Sequence, residues 1–207
     1  MKHYLFFPFS LCLLMLAFGS CKKDSSSDSD PDTNPGSSAD FYFTGTVGGK
    51  KVTIELLPSN DVEMVTANDA SLDPPYCTFN YGAYLGPYDP EEYPQIKVDF
   101  QQYFSGDCGN EGAVFNTLFP VGSQPFSSAT TGGKGVEVLY FDETGVYSSS
   151  NGSQTGSQFS ITKSETTNFL GIGQTVTGTI ECTLYDEFGG KKVLTNGSFR
   201  LNFRPWF

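Results

Sequence analysis

Residues 175–203 read TVTGTIECTLYDEFGGKKVLTNGSFRLNF and decide the fold, because a period of two runs through both halves of this stretch. That period is typical of β-strands with one face on a core, and the glycine-rich residues 187–190 predict a turn between two strands. Before the turn, the inward row is Val176, Gly178, Ile180, Cys182 and Leu184. After the turn, the same alternation predicts an inward row of Val193, Gly197, Phe199, Leu201 and Phe203, with Lys192 and Asn196 outward.

The register of this hairpin follows from the position of its turn. Closure at residues 187–190 sets Gly178 opposite Phe199 and Gly197 opposite Ile180. Each pair places a small residue against a large one, which suits a closely packed layer.

A second hairpin is predicted near the start of the folded region. Residues 41–47 and 50–56 both alternate, and Gly48-Gly49 between them forms a two-residue turn that accepts positive φ. This turn pairs Phe43 with Ile54 and Phe41 with Leu56 on one face. The register is therefore consistent with a single buried face.

The remaining segments also favour short strands. Residues 95–100 place Ile96, Val98 and Phe100 inward, with Lys97 and Asp99 outward, and residues 158–162 turn Phe159 and Ile161 inward. Residues 114–119 fit either a strand or one helical turn. Because no segment sustains a period of 3.6, we predict an all-β domain over residues 41–207, an antiparallel β-sandwich or a flattened barrel.

The first 20 residues have the features of a cleaved export leader. A basic start precedes an apolar run over residues 4–18, which is short for a bilayer span and has the length of a secretory h-region. Gly19 and Ser20 are small, and Cys21 follows them. This arrangement resembles a bacterial lipobox, with Phe18 where Leu is commoner, and it implies a lipid on Cys21. The alternative is an ordinary secretory signal with a chance cysteine.

Residues 21–40 are rich in Ser, Asp and Pro and predict a disordered tether, because they cannot bury enough apolar surface to order themselves. The Lys22-Lys23-Asp24 sequence after Cys21 resembles the export signal of surface lipoproteins in Bacteroidetes-type bacteria. That resemblance implies an outer-membrane lipoprotein facing outward, and a plain spacer is the alternative.

Three segments of the folded region carry a wider resemblance. Residues 46–52 (TVGGKKV), together with residues 176–180 and 194–199, resemble a family of Bacteroidetes-type lipoprotein β-domains of unknown function. The resemblance implies an extracytoplasmic all-β domain and brings no catalytic residues with it.

Composition narrows the function classes. A net charge of −11 repels phosphate backbones, which argues against nucleic acid as a partner. The one histidine, His3, lies in the leader, so a mature chain lacks the base of a Ser-His-Asp or Cys-His mechanism and an imidazole metal ligand. We therefore predict a non-enzyme without a cofactor; an acidic loop at residues 107–112 leaves structural calcium as an alternative.

The cysteines of the folded region predict one disulfide in an oxidising compartment. Cys182 lies in an inward row and reads as a buried free thiol. Cys77 and Cys108 both lie near loop ends, and we predict that they pair. Pairings with Cys182, or three free thiols, remain open.

A tyrosine-rich segment is the candidate ligand site. Tyr84, Tyr88 and Tyr93 lie among acids, and exposed tyrosines beside acids can stack on sugar rings and bind hydroxyl groups. We therefore favour a non-catalytic binding module for a glycan. The alternatives are an envelope lipoprotein that binds another protein and, less favoured, a hydrolase, which needs two acids facing each other across a cleft.

The lipid anchor gives a direct prediction. Cys21→Ala should abolish incorporation of labelled palmitate into the chain, because the thiol is the attachment point of the acyl chains, which supply about 0.8 kcal/mol of anchoring per buried methylene. The lipoprotein signal peptidase inhibitor globomycin should make the uncleaved, heavier precursor accumulate. Palmitate labelling and immunoblotting measure these changes, and labelling of the Cys21→Ala chain would contradict the lipid anchor.

Overall fold

The computed structural model describes residues 39–71, 76–105, 111–127, 134–167 and 173–205. The predicted signal peptide, Cys21, Cys108 and the tether up to residue 38 lie outside these ranges. The elements in chain order are β1 (Phe41–Val47), β2 (Lys50–Leu56), β3 (Val62–Ser71), β4 (Tyr76–Pro87), β5 (Gln95–Ser105), α1 (Glu111–Asn116), β6 (Gly122–Gln124), β7 (Lys134–Asp142), β8 (Gly145–Ser148), β9 (Gln158–Thr167), β10 (Gly173–Tyr185) and β11 (Lys191–Phe203). The described ranges contain no helix with the length and apolar character of a membrane span.

The strands form one curled antiparallel sheet, which confirms the predicted fold class. Its order is β2-β1-β11-β10-β8-β7-β5-β4-β3. β9 pairs with most of β10, β6 pairs with β9, and β8 meets β10 only at the Tyr185–Ser148 pair. The curl brings distant strands face to face, so that Phe100 of β5 meets Phe159 of β9 and Phe203 of β11 in edge-on ring contacts.

The first hairpin has the predicted register. Phe41 pairs with Leu56 and Phe43 with Ile54. Gly48 and Gly49 have φ angles of 57° and 82°, which a two-residue hairpin of this hand requires. The turn therefore stands at one end of the sheet in a fixed conformation.

The segment that the sequence left open between strand and helix begins as the helix α1. Phe115 packs on Tyr81 with ring centroids 5.1 Å apart. Phe119, just after the helix, packs on Phe100 at 4.8 Å and on Phe203 at 5.1 Å. This short segment thus fills the core between the two halves of the sheet.

The last hairpin starts in the predicted register and then departs from it. Gly178 pairs with Phe199 and Ile180 with Gly197, as expected, but the next pair is Cys182 with Leu194. The register shifts by one residue around Asn196, whose φ is 51°. Such a β-bulge inserts one residue into one strand and reverses which side chains face inward beyond it.

The bulge makes two predictions wrong. Leu194 is fully buried, whereas Val193, which was expected to face inward, is 50 % exposed. Lys192, which was expected to face outward, shares the inward face with Leu194. On β5, Asp99 lies on the outer face, as predicted, but its side chain is covered and only 5 % exposed.

The bulge gives the second prediction. Asn196→Val should lower the free energy of unfolding by about 1–2 kcal/mol, because a β-branched residue is strained at positive φ, whereas Asn196→Gly should be close to neutral. Urea denaturation of both variants measures the difference. Equal stabilities for the two would contradict a left-handed residue at this position.

Candidate functional site

A cleft opens at one end of the sheet, where four segments converge. They are the β1–β2 turn, the residues before β5, the β7–β8 turn and the start of β11. The cleft has a volume of about 330 Å³, at the lower end of the range of about 300–1,000 Å³ typical of small-molecule sites. The side chains that carry its chemistry are Tyr93, Tyr140, Asp142, Glu143, Thr144, Lys192, Lys50 and Lys51.

The strand order explains why these residues meet. β1 lies beside β11, and the Gly48 amide donates to the Val193 carbonyl at 3.0 Å. At Gly48, an added Cβ would stand 3.5 Å from Cγ of Lys192, so the lysine stem runs directly past the turn. The bulge at Asn196 is what directs Lys192 to this side of β11.

Lys192 is held at the floor of the cleft by three kinds of contact. Its ammonium group forms an ion pair with Asp142 and donates to Oγ1 of Thr144 at 2.9 Å. The same Nζ lies 4.2 Å from the ring centroid of Tyr147, which is a cation–π distance. The Tyr140 ring centroid is 5.9 Å away.

The β7–β8 turn fixes the other side of this arrangement. Oδ1 of Asp142 accepts from the amide of Thr144 at 2.9 Å and from its hydroxyl at 2.6 Å. The Thr144 hydroxyl also lies 2.9 Å from the Tyr147 hydroxyl. The floor of the cleft is therefore a connected polar network whose parts hold one another in place.

The network also sets protonation states. Burial opposes ionisation of Asp142, but hydrogen bonds from Lys192 and Thr144 outweigh it and lower the pKa of Asp142 below its usual value. Burial and the nearby Asp142 charge raise the pKa of Tyr140 to about 12. At neutral pH the cleft thus presents an ionised carboxylate and a neutral phenol.

The three predicted ligand tyrosines lie in different places. Tyr93 lines the cleft and is 43 % exposed. Tyr88 is 75 % exposed in the preceding loop, where its amide donates to the Asp61 carbonyl at 2.7 Å. Tyr84 is half-buried on β4, and burial, followed by the charges of Glu63 and Tyr93, raises its pKa. The structure therefore places one of the three at the cleft.

Sequence reasoning missed Tyr140 and Lys192 as site residues. Tyr140 is one of many apolar and aromatic residues of a central strand, and nothing in its neighbourhood in the sequence marks it. Lys192 faces the cleft because of a bulge that the alternation does not show. Asn196-Gly197 within a strand was a usable signal of that bulge, since both residues tolerate positive φ.

A second group of carboxylates lies on the outer face of the sheet. Asp99 and Glu137 are cross-strand partners on β5 and β7. Glu137 accepts from Ser148 at 2.5 Å, from Ser150 at 2.6 Å and from Gln101 at 3.0 Å, so its oxygens are already occupied. The Asp99 carboxylate lies over Gly82, where an added Cβ would collide with it.

Asp99 is the most strongly perturbed acid of this group. Its burial raises the pKa to about 6, against the opposing effect of Lys97 at 2.7 Å and with support from the charges of Glu137 and Asp69. Asp99 and Glu137 lie side by side on the sheet surface, and neither lines the cleft. These two acids therefore affect the stability of the fold, and they do not face each other across a cleft.

The cysteines agree with the sequence where they are described. Cys182 is a buried free thiol, as predicted, and burial raises its pKa to about 12, which makes it unreactive. Cys77 is disulfide-bonded. Because Cys108 lies outside the described residues, its pairing with Cys77 stays a prediction.

Among the described residues, no group of three or more His, Cys, Asp or Glu side chains is arranged to hold a metal ion. Most of the predicted calcium loop at residues 107–112 lies outside the described ranges.

Comparisons with protein-family models, curated proteins and solved structures found no match. The site must therefore be interpreted from its own geometry.

Asp99 gives a pH-dependent prediction. Its pKa is higher in the folded chain than the value of about 3.9 in an unfolded chain, so its contribution to stability is complete below pH 4 and is lost as the pH rises through about 6. Asp99→Asn should therefore gain stability relative to wild type between pH 4 and pH 8, by up to about 3 kcal/mol. Urea denaturation across this pH range measures it.

Asp61→Asn, in an exposed loop, is the matched control for removal of one negative charge. A stability difference between Asp99→Asn and wild type that stays constant from pH 4 to pH 8 would contradict the raised pKa of Asp99.

Proposed function

We propose that this protein is a lipid-anchored extracytoplasmic binding module and that its end cleft binds a saccharide. The observation that supports this best is the cleft itself, in which the exposed ring of Tyr93 stands near a polar network of ordered side chains. Small-molecule sites combine such apolar surfaces with a few fixed polar groups.

The cleft offers each kind of contact that a sugar needs. The ring of Tyr93 presents a face on which the C–H groups of a pyranose can pack. The exposed carboxylate of Glu143 offers oxygens that accept hydrogen bonds from sugar hydroxyls, and Oδ2 of Asp142 keeps one lone pair beside its bond to Lys192. Because Asp142 and Thr144 are already fixed by internal hydrogen bonds, little conformational entropy is lost when a ligand binds.

The charge state of Asp142 favours binding over hydrolysis. A glycosidase needs one carboxylic acid whose pKa is raised, so that it can protonate the leaving oxygen. The ion pair with Lys192 and the hydrogen bonds from Thr144 do the opposite to Asp142 and hold it ionised. A non-catalytic role therefore fits the cleft better than a hydrolase.

The proposed lipid anchor would set the location of the domain. A lipid on Cys21 would hold the chain at the outer membrane, facing outward, and the tether of residues 21–40 would separate the domain from the bilayer. A flexible linker of this length spans about 25 Å on average. That distance leaves the cleft free to meet extracellular polymers.

A second candidate function rests on a different feature. Phe188 at the tip of the β10–β11 turn is 88 % exposed, and Asp186 accepts hydrogen bonds from the amides of Phe188 at 2.9 Å and Gly190 at 2.7 Å. An exposed aromatic ring on a turn whose backbone is fixed in this way is typical of an anchor for a protein partner. An envelope protein that binds another protein is therefore the alternative.

A glycan array probed with the full chain, purified in detergent, tests the proposal. At least one oligosaccharide should bind, and Tyr93→Ala should weaken that binding by about tenfold or more, since loss of a stacking aromatic ring costs on the order of 1–2 kcal/mol. Titration calorimetry measures the affinities.

Tyr88→Ala is the matched control, because Tyr88 is an exposed tyrosine of the same loop that does not line the cleft. Equal losses in the two variants would contradict the cleft as the site. An array without any bound glycan would favour the protein-partner alternative.

A further inference from the structure

We propose that the saccharide is anionic, and that its carboxylate or sulfate group is bound by Lys50 and Lys51 at the rim of the cleft. This inference rests on the proposed function and adds the charge of the ligand. It starts from the distribution of basic side chains over the chain.

Basic residues are concentrated at the cleft. The chain has 12 lysine and arginine residues and a net charge of −11, yet three of the 12, namely Lys50, Lys51 and Lys192, line this one cleft. Asp142 and Glu143 are the acids there, so the cleft carries a formal excess of positive charge on an acidic protein. An anion that reaches it is favoured locally over a neutral or cationic ligand.

The three lysines differ in their availability. Lys192 is engaged by Asp142, Thr144 and the Tyr147 ring. Within the part of the chain that the structure describes, the side chains of Lys50 and Lys51 make neither an ion pair nor a hydrogen bond, and both are exposed. Two ammonium groups are therefore free to bind a ligand.

The hairpin turn fixes where these ammonium groups start. Lys50 and Lys51 follow Gly48-Gly49 directly and pair with Val47 and Thr46 of β1. Lys50 shares its face of β2 with Val52 and Ile54, which point to the core, so its stem projects at the open end of the sheet. Lys51, the next residue, starts from the opposite face of β2, and both residues line the cleft. A lysine ammonium binds as a point charge without directional demand, so the two flexible stems can approach one anionic group from the two sides of the strand.

The opposite rim gives the ligand an orientation. Glu143 is exposed on the β7–β8 turn and repels an anionic group but accepts hydrogen bonds from hydroxyls. The anionic group would therefore lie toward β2 and the neutral hydroxyls toward the β7–β8 turn, with Tyr93 beside the ring. A neutral sugar gains the hydrogen bonds at the β7–β8 turn and the contact with Tyr93, but not the ion pairs with the lysines of β2.

Paired oligosaccharides test this inference by titration calorimetry on the full chain in detergent. The probes are trigalacturonate against galactotriose with the same linkages, and a sulfated galactobiose against its unsulfated form. At least one anionic member should bind about tenfold or more tightly than its neutral partner, and the pair that shows the preference identifies carboxylate or sulfate. The double variant Lys50→Ala/Lys51→Ala should abolish the preference. Each weak, partly solvated ion pair should contribute about fivefold to the affinity for the anionic sugar.

Two controls accompany the double variant. Lys50→Arg/Lys51→Arg keeps both charges and should keep the preference. Lys191→Ala removes one exposed lysine of β11 that does not line the cleft, and it should bind like wild type. Because Lys50 and Lys51 are exposed, the double variant should fold, and an unchanged melting temperature verifies this.

The outcomes separate the two proposals. If the charged and neutral members bind equally well, the anionic inference is overturned while the saccharide proposal stands. If the double variant loses the neutral sugars as strongly as the anionic ones, the lysines do not act through charge and the inference is overturned. If no saccharide binds at all, both proposals are overturned.

Discussion

The β-bulge at Asn196 controls which side chains of the last hairpin face the core. On β11, residues after the bulge bury Phe199 and Leu201, and residues before it bury Leu194 in place of Val193. A left-handed conformation costs little for asparagine, and about 1–2 kcal/mol for most other residues. Leucine has one methylene more than valine, so burial of Leu194 in place of Val193 contributes about 0.8 kcal/mol more and offsets the small cost of the left-handed residue.

The same shift brings a cation to the inward face, and the surroundings of Lys192 offset the loss of its hydration. A lysine on this face would be unfavourable without a partner. Asp142 and Thr144 supply the charge and a hydrogen bond, and Tyr147 adds a cation–π contact worth about 0.5–2 kcal/mol. Because these partners belong to β7, to the β7–β8 turn and to β8, Lys192 connects β11 to the β7–β8 hairpin at the cleft.

Much of the fold could be predicted from the sequence, because alternation and glycine turns are local signals. The pairing of Phe43 with Ile54 follows from the position of Gly48-Gly49 alone. The face of Val193 could not be predicted in this way, since one inserted residue reverses the alternation without changing the composition. Asp99 shows a related limit, because a pattern assigns its face but does not reveal that its neighbours cover it.

The candidate site was harder to predict because its parts are far apart in the chain. Tyr84 and Tyr88 are close to Tyr93 in sequence but do not line the cleft, whereas Tyr140 and Lys192 reach it through strand order. Tyrosine clustering in the sequence therefore led to one residue that lines the cleft, Tyr93, and missed the two that reach it from distant strands.

The lysines of the cleft have two different roles, one in the scaffold and one in binding. Lys192 is committed to the internal network, so its charge helps to hold the floor in one conformation. Lys50 and Lys51 are exposed and unpaired within the described residues, so they contribute little to folding. Changes at the rim can therefore alter which ligand is bound without loss of the scaffold, whereas changes at the floor alter both. A binding surface that separates these two roles can vary its specificity while the sheet beneath it stays the same.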